Sequence, residues 1–282
     1  MKVVFNDDCM NDSLFQIFSE ANSIKALWFE YNTIDPKIYR SAMNYLSKSV
    51  FNPNPNSLVY LSKKYYLLEL KSITNEIEQE LVNQIPHWIF PIVGLISINM
   101  PRMLLFLCNH QQIFQKLIEE INSIENIENA KQIHDSTYIR YCLLETFRLN
   151  NPVVTTFRTL LTDYYFDQFF FKKGEQFLIL NNPVLRDPIT FKHPNQYIPE
   201  RWTQQLENSY QSIMFNQGPQ KCPGKELTIL LMGIFLVNYL KYSGILKHGC
   251  GIIQCNKKLD TLNIPQMINP CDIKFSIHWP PK

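Results

Sequence analysis

The sequence predicts a mainly α fold with small β-sheets, an α+β arrangement in which helices dominate. Apolar residues recur at helical spacing through most of the first 150 residues and again after residue 224. β-Branched and aromatic residues concentrate between residues 152 and 180 and in short stretches after 243, where turn residues punctuate them. Glycine is scarce, 8 of 282 residues, while Phe, Tyr, Ile and Asn are plentiful, a bias without a functional message.

In chain order, Asp12 is placed to cap a helix through Phe18. Asp35 followed by Pro36 reads as a cap with proline at the first helical position, opening IYRSAMNYL. Residues 51–57, FNPNPNS, form a loop, and a long helical pattern then runs from about Ser57 to Ile85 with Leu67, Leu70, Ile77 and Leu81 on one face. Residues 1–85 carry no chemical motif and read as an N-terminal helical region; the motifs fall in residues 86–282.

The most apolar window, His87 to Cys108, approaches the length of a membrane span but contains Pro91, Pro101 and Arg102, so it reads as a buried, interrupted helix. Met103 to Ile121 predicts one amphipathic helix ending in charges. Asp135 or Ser136 caps the next helix, TYIRYCLLETFRL. Within it Glu145 and Arg148 lie three apart and share a face. At that spacing a surface ion pair is the ordinary outcome, but this helix is otherwise apolar, so the pair is expected to be buried and fully hydrogen-bonded.

NPVVTTFRTLL and DYYFDQFFF then read as strands, with KKG as a turn before EQFLILNN. After the helix ELTILLMGIFLVNYL, short apolar stretches alternate with Gly, Pro and Asn and close with IKFSIHW, again suggesting strands.

Composition excludes several functions. A net charge of +2 without a basic tract gives no reason to expect nucleic acid. Seven cysteines, an odd number with no C-x-x-C, argue against a disulfide framework and a zinc knuckle, and favour a reducing, cytoplasmic setting. MKVVFNDDCM meets acidic residues before any apolar run, so neither a signal peptide nor a transmembrane anchor is expected.

The stretch Phe215 to Gly224, FNQGPQKCPG, carries the chemistry. It sets Cys222 on a tight loop before a helix N-terminus, where unpaired N–H groups and the positive end of the helix dipole favour the thiolate, the form that ligates metals. Gly224 lets a flat cofactor approach the backbone, and Gly218 with Pro219 folds the loop beneath it. A lone cysteine beside a helix is otherwise a small apolar residue.

This F-x-x-G-x-x-x-C-x-G pattern resembles the heme-binding loop of the cytochrome P-450 family, in which the cysteine thiolate is the proximal ligand of the heme iron. Three more motifs follow in family order. HQQIFQKLIEEI resembles H-P-x-x-x-x-K-L-x-x-E-I with Gln111 in place of proline; Glu145 and Arg148 resemble E-x-x-R; FKHPNQYIPERW resembles F-x-x-P-x-x-F-x-P-E-R-F with Tyr197 and Trp202 as aromatic substitutes. The resemblance covers residues 103 to 282 and implies a truncated cytochrome P-450 fold.

It further implies a heme (iron protoporphyrin IX) whose axial ligand is Cys222, in a loop shaped by Phe215, Gly218 and Gly224. Arg158, in the first strand, would meet a heme propionate. Arg201 would complete a Glu-Arg-Arg cluster with Glu145 and Arg148 that locks the irregular segment under the heme. The implied reaction inserts one oxygen atom of dioxygen into an apolar organic substrate, the thiolate pushing electron density onto iron to favour O–O cleavage. Electrons would come from a separate redox partner, a reductase or ferredoxin, docking near the cysteine face with help from Lys221 and Lys225.

The sequence also departs from the family. Members usually have far more chain ahead of the E-x-x-R helix than the 144 residues here, and the W-x-x-x-R helix has no counterpart, since Trp28 lacks an arginine four residues on. Counting back from His110, the acid and alcohol positions of the central helix fall on Gly94 and Leu95, neither of which can transfer a proton. Ser97 is the nearest hydroxyl and the one catalytic candidate, with Asn99 beside it. Gln220, two before the cysteine, replaces the usual Arg or His, so its contact with a propionate lacks charge assistance. Two alternatives therefore stand: a reduced, non-oxygenating relative that binds heme or a protein partner, or a heme-thiolate enzyme using peroxide or a hydroperoxide.

Overall fold

The structure, a computed structural model, describes residues 36–55, 57–70, 74–242 and 252–278. The expected cap at Asp12, its helix through Phe18, and Trp28 lie outside the described residues. The chain divides into two compact units, at Leu95 and Ile96.

In the first unit, α1 (Pro36–Phe51) begins at the predicted proline. The loop after it leads to α2 (Leu58–Leu70), whose N-terminus is capped where Ser57 Oγ accepts from the Tyr60 amide at 3.0 Å. The helix expected from Ser57 to Ile85 is in fact two, because α3 (Asn75–Asn109) starts afresh, with Thr74 Oγ1 accepting from the Ile77 amide at 3.4 Å. That restart resets the helical rotation: Leu81 is buried, but Leu67 is 51% exposed. Leu46, Val50, Val59, Val82 and Ile85 are also buried, and Lys63 Nζ ties the three helices by donating to Val50 O at 2.8 Å and Glu78 Oε1 at 2.5 Å.

The interruption expected at Pro91 and Pro101 is absent, since α3 runs unbroken across both. A proline removes one rung of the helix at about 3 kcal/mol. After Pro101 that cost is offset by complete or near-complete burial of Met103, Leu104, Leu105, Phe106 and Leu107.

In the second unit, the single helix expected from Met103 to Ile121 breaks at His110, where ψ is 76°; α4 (Gln111–Ser123) follows. His110 closes the preceding helix, its backbone N–H donating to Leu107 O at 3.1 Å and its Nδ1 to Phe106 O at 2.7 Å. Short α5 (Ala130–His134) is capped by Asn129, and α6 (Thr137–Leu149) carries Glu145 and Arg148. The hydroxyl of Ser136 does not cap α6, because it donates to Gln132 O at 2.8 Å. Glu120 of α4 caps it instead, accepting from the Tyr138 and Ile139 amides at 2.9 and 2.7 Å.

β1 (Thr155–Thr159) pairs antiparallel with β4 (Gln176–Leu180), Thr155 opposite Leu180 and Thr159 opposite Gln176. DYYFDQFFF is not one strand: it folds back at Asp167, whose φ is 53°, into the hairpin β2 (Tyr164–Phe166) and β3 (Phe169–Phe171). A short α7 (Asn181–Leu185), the irregular segment to Trp202 and α8 (Gln204–Glu207) lead to the cysteine loop and α9 (Lys225–Tyr242). β5 (Ile252–Cys255) and β6 (Phe275–His278) make the last antiparallel pair.

Helix α9 is apolar around its circumference, as a helix at the centre of a core must be. Its Met232, Leu236 and Val237 are buried with Leu143 and Phe147 of α6 and Leu117 and Ile121 of α4. The element that follows the cysteine is thus the central member of the core.

Candidate functional site

Cys222 sits in a loop closed on itself. Its amide donates to Phe215 O at 2.7 Å, the Asn216 amide to Ile213 O at 3.0 Å, and the Lys221 amide to Gly218 O at 3.0 Å. The reversal uses positive φ at Asn216 (φ 56°, ψ 172°) and Gly218 (φ 70°); glycine takes such backbone without strain, whereas Asn216 is held in a region that is nearly glycine's alone. Gln217 Nε2 holds the loop to the preceding turn through Ser209 O and Ser212 O at 3.0 and 3.1 Å. Phe215 is buried, its ring edge-on to Phe147 of α6 with centroids 5.0 Å apart.

The Cys222 thiol is free and half-buried, at the margin of the core. A Cβ built on Gly224 would lie 3.8 Å from Cys222 Sγ, so glycine keeps one flank of the sulfur clear. A soft sulfur donor, an adjacent flank without a side chain, and a helix N-terminus beyond suit the iron of a heme.

Glu145, Arg148 and Arg201 meet as the sequence suggests. The Glu145 carboxylate and the Arg148 guanidinium are fully buried. Glu145 Oε1 accepts from Arg148 Nη2 at 2.8 Å, from Arg201 Nε at 3.0 Å and from the Ile198 amide at 3.0 Å. Oε2 accepts from Arg148 Nε and Trp202 Nε1, both at 2.9 Å. The arginines then gather carbonyls of the irregular segment: Arg148 takes Leu185, Pro194 and Gln196 at 2.7 to 3.0 Å, and Arg201 takes Lys192 and His193 at 2.6 and 3.1 Å. Every polar atom of a segment without regular structure needs such partners when it is covered. Because Phe147 sits on the same helix, α6 fixes both the segment and the cysteine loop.

Arg158 is half-buried on β1; its side chain donates from Nη1 to Phe157 O at 2.8 Å and pairs with no carboxylate among the described residues. Thr156, two residues earlier and so on the same strand face, donates from Oγ1 to Asn216 Oδ1 at 3.3 Å. The face carrying Arg158 is therefore the one adjoining the cysteine loop. Gln220 and Lys221 are exposed on the loop. Ser97 is exposed on α3, whereas Asn99 is buried and accepts from Arg102 Nη1 at 3.5 Å.

Lys225 corrects an expectation. It is buried, with Nζ 2.5 Å from Glu207 Oε1, and has no free ammonium to offer a docking partner. It belongs to a cluster that periodicity did not reveal. Arg140 of α6 makes a bidentate pair with Glu226 (Nη1 to Oε2 2.8 Å, Nη2 to Oε1 2.9 Å) and also binds Glu207, Nε to Oε2 at 3.0 Å. Arg140's hydrogen bonds hold the Glu226 carboxyl down to about 2. Burial raises the Glu207 pKa, but hydrogen bonds from Arg140 and Lys225 outweigh it and leave the carboxyl below its ordinary value. The only sequence signal was an arginine, a lysine and two glutamates in three separate segments.

A mainly helical domain with a glycine-flanked cysteine loop pinned to a helix bearing a buried Glu-Arg pair defines a heme-thiolate class of protein. The Cytochrome P450 family model matches residues 96–249, more than half of the chain, and the chain belongs to that family. It is similar to (21S)-21-acetyl-1-hydroxy-apo-melianone synthase of Melia azedarach, 29% identical over 147 residues, 49% of this chain and 29% of that one. It is also similar to the mitochondrial sterol 26-hydroxylases of Rattus norvegicus (27% over 189 residues, 62% of this chain and 35% of the relative) and Homo sapiens (26% over 179 residues, 60% and 34%). The chain thus spans about a third of the length of these curated relatives. Heme is the cofactor of the family. Among the described residues no helix is long and apolar enough to cross a membrane.

Proposed function

We propose that this chain carries the cysteine-loop portion of a heme-thiolate monooxygenase, one that inserts an oxygen atom of dioxygen into an apolar organic substrate using electrons from a separate reductase or ferredoxin. The observation that carries the reading is the half-buried, free Cys222 thiol beside Gly224, in a loop pinned to the Glu145–Arg148 helix through Phe215 and Phe147. Bound there, the heme supplies the iron at which dioxygen is activated.

The chain's residues have distinct tasks in this proposal. Cys222 Sγ would hold the heme iron. Phe215 shields the loop, Gly218 turns it, and Gly224 leaves space beside the sulfur. Arg158 would neutralise a propionate, and Gln220 would add an uncharged hydrogen bond. Glu145, Arg148 and Arg201 hold the segment beneath. Val153 and Val154, 42% and 37% exposed just before β1, offer apolar contact to a substrate. Ser97, the one hydroxyl residue of α3, is assigned the holding of a proton donor. Seven cysteines without a C-x-x-C spacing support a reducing setting, the cytoplasm, as the one proposed.

Gly94 and Leu95 favour a second reading. Neither side chain can hold or pass a proton, and a reaction that takes its oxygen from peroxide or an organic hydroperoxide has less need of that relay. A non-oxygenating relative that binds heme or a protein partner is the remaining alternative. Product formation by the heme-loaded chain, with dioxygen plus reductase and then with hydrogen peroxide alone, distinguishes them. Coupled turnover with reductase supports monooxygenation; turnover with peroxide only moves the assignment to the second reading.

A further inference from the structure

We propose that Arg140, Glu207 and Lys225 are positioning residues for Cys222, a second ionic clamp that sets the cysteine loop on the first turn of α9. The proposal rests on Cys222 as the heme ligand and assigns these residues a role toward it. Lys225 is the residue whose backbone amide turns back toward Cys222 O, at 3.5 Å. Its side chain is locked to Glu207 at the end of α8, with Nζ 2.5 Å from Oε1. Arg140 reaches from α6 to hold both Glu207 and Glu226, the residue after Lys225.

The first turn of α9 is therefore fixed from two directions, by α6 and by α8. The Glu207 and Lys225 ends of this clamp are buried, so their charge-assisted bonds are not dissipated by water. The clamp meets the chain three residues after the thiol, whereas the Glu145 cluster meets the segment before the loop.

The test uses the full chain without heme, measuring alkylation of Cys222 by iodoacetamide through peptide mass spectrometry. Lys225→Met and Arg140→Met should each raise the Cys222 rate about tenfold, as expected when a charge-assisted bond holding the loop closed is lost. Lys225→Arg should restore the slow rate. Lys116→Met, which breaks the exposed Lys116–Glu200 pair elsewhere in the fold, should leave it unchanged. An unchanged Cys222 rate in Lys225→Met, with the helical circular dichroism retained, overturns the clamp. In the heme-loaded form, Lys225→Met should lose ferrous–CO absorbance at the thiolate-type position while Lys225→Arg keeps it. Failure of the unsubstituted chain to bind heme overturns the reading of Cys222 as ligand, an outcome separate from the alkylation rates.

Discussion

Trp202 Nε1 donates to Glu145 Oε2 at 2.9 Å, on a carboxylate that also accepts from Arg148, Arg201 and the Ile198 amide. The indole stands where the family pattern has a phenylalanine, and it adds a fifth bond to a carboxylate with no access to water. A buried carboxylate facing two arginines is tolerated only when its lone pairs are filled, and the substitution fills them more completely.

Removing only the indole bond is the mild test of this cluster. Trp202→Phe should cost about 1.5–3 kcal/mol, the worth of a hydrogen bond to a charged group. Glu145→Ala should cost about 3–5 kcal/mol or prevent folding, because Arg148 and Arg201 are left without their anion. Urea unfolding followed by circular dichroism measures both.

The glycines of the cysteine loop should separate folding from ligand binding. Gly218 has a φ of 70° with no atom within 4 Å of an added Cβ, so Gly218→Ala should cost about 1–2 kcal/mol through backbone strain alone. Gly224→Ala meets only an ordinary contact, 3.8 Å from Cys222 Sγ, and should leave stability within about 0.5 kcal/mol. It should nevertheless weaken heme binding, read by titration of the Soret band. Calorimetric melting of the heme-free proteins gives the other half of the comparison.

Stability should fall with acid in two stages. Burial depresses His110 below its ordinary 6.5, opposed by its bond to Phe106 O, so the unfolded chain binds the proton more readily and stability is lost as pH drops below about 6.5. Glu226 is held down to about 2 by Arg140, so its contribution is complete above its ordinary 4.5 and is lost as pH falls from there toward 2. Arg140→Met should shrink the second stage and spare the first. Melting temperatures recorded from pH 7.5 to 2.5 test the order.

The cap on α6 predicts a further cost. Glu120→Ala removes the carboxylate accepting from the Tyr138 and Ile139 amides and should destabilise the fold by about 1 kcal/mol, although Glu120 lies on another helix.

What the sequence disclosed follows from the range of the physics. Glu145 and Arg148 are local, three apart on one helix, and an apolar helix cannot leave them unsatisfied; their burial could be argued from spacing. The tight loop at Cys222 was legible because glycines and a proline dictate one before a long apolar helix. By contrast, Arg140, Glu207 and Lys225 come from three segments, and only tertiary folding brings them together. The break at His110 and the continuity of α3 past Pro101 were hidden for a related reason: burial of the residues around each site overrides its local preference. Leu67 illustrates the converse, a residue in helical register whose face is lost when the helix restarts at Asn75.

The central claim is that Cys222 is the heme ligand. The decisive measurement is the absorption spectrum of the full chain supplied with heme, reduced and exposed to carbon monoxide, recorded beside Cys222→Ala. The account predicts a red-shifted, thiolate-type Soret band in the unsubstituted protein and its loss in the variant. A protein that binds no heme, or a band that persists unchanged without the Cys222 sulfur, would contradict it.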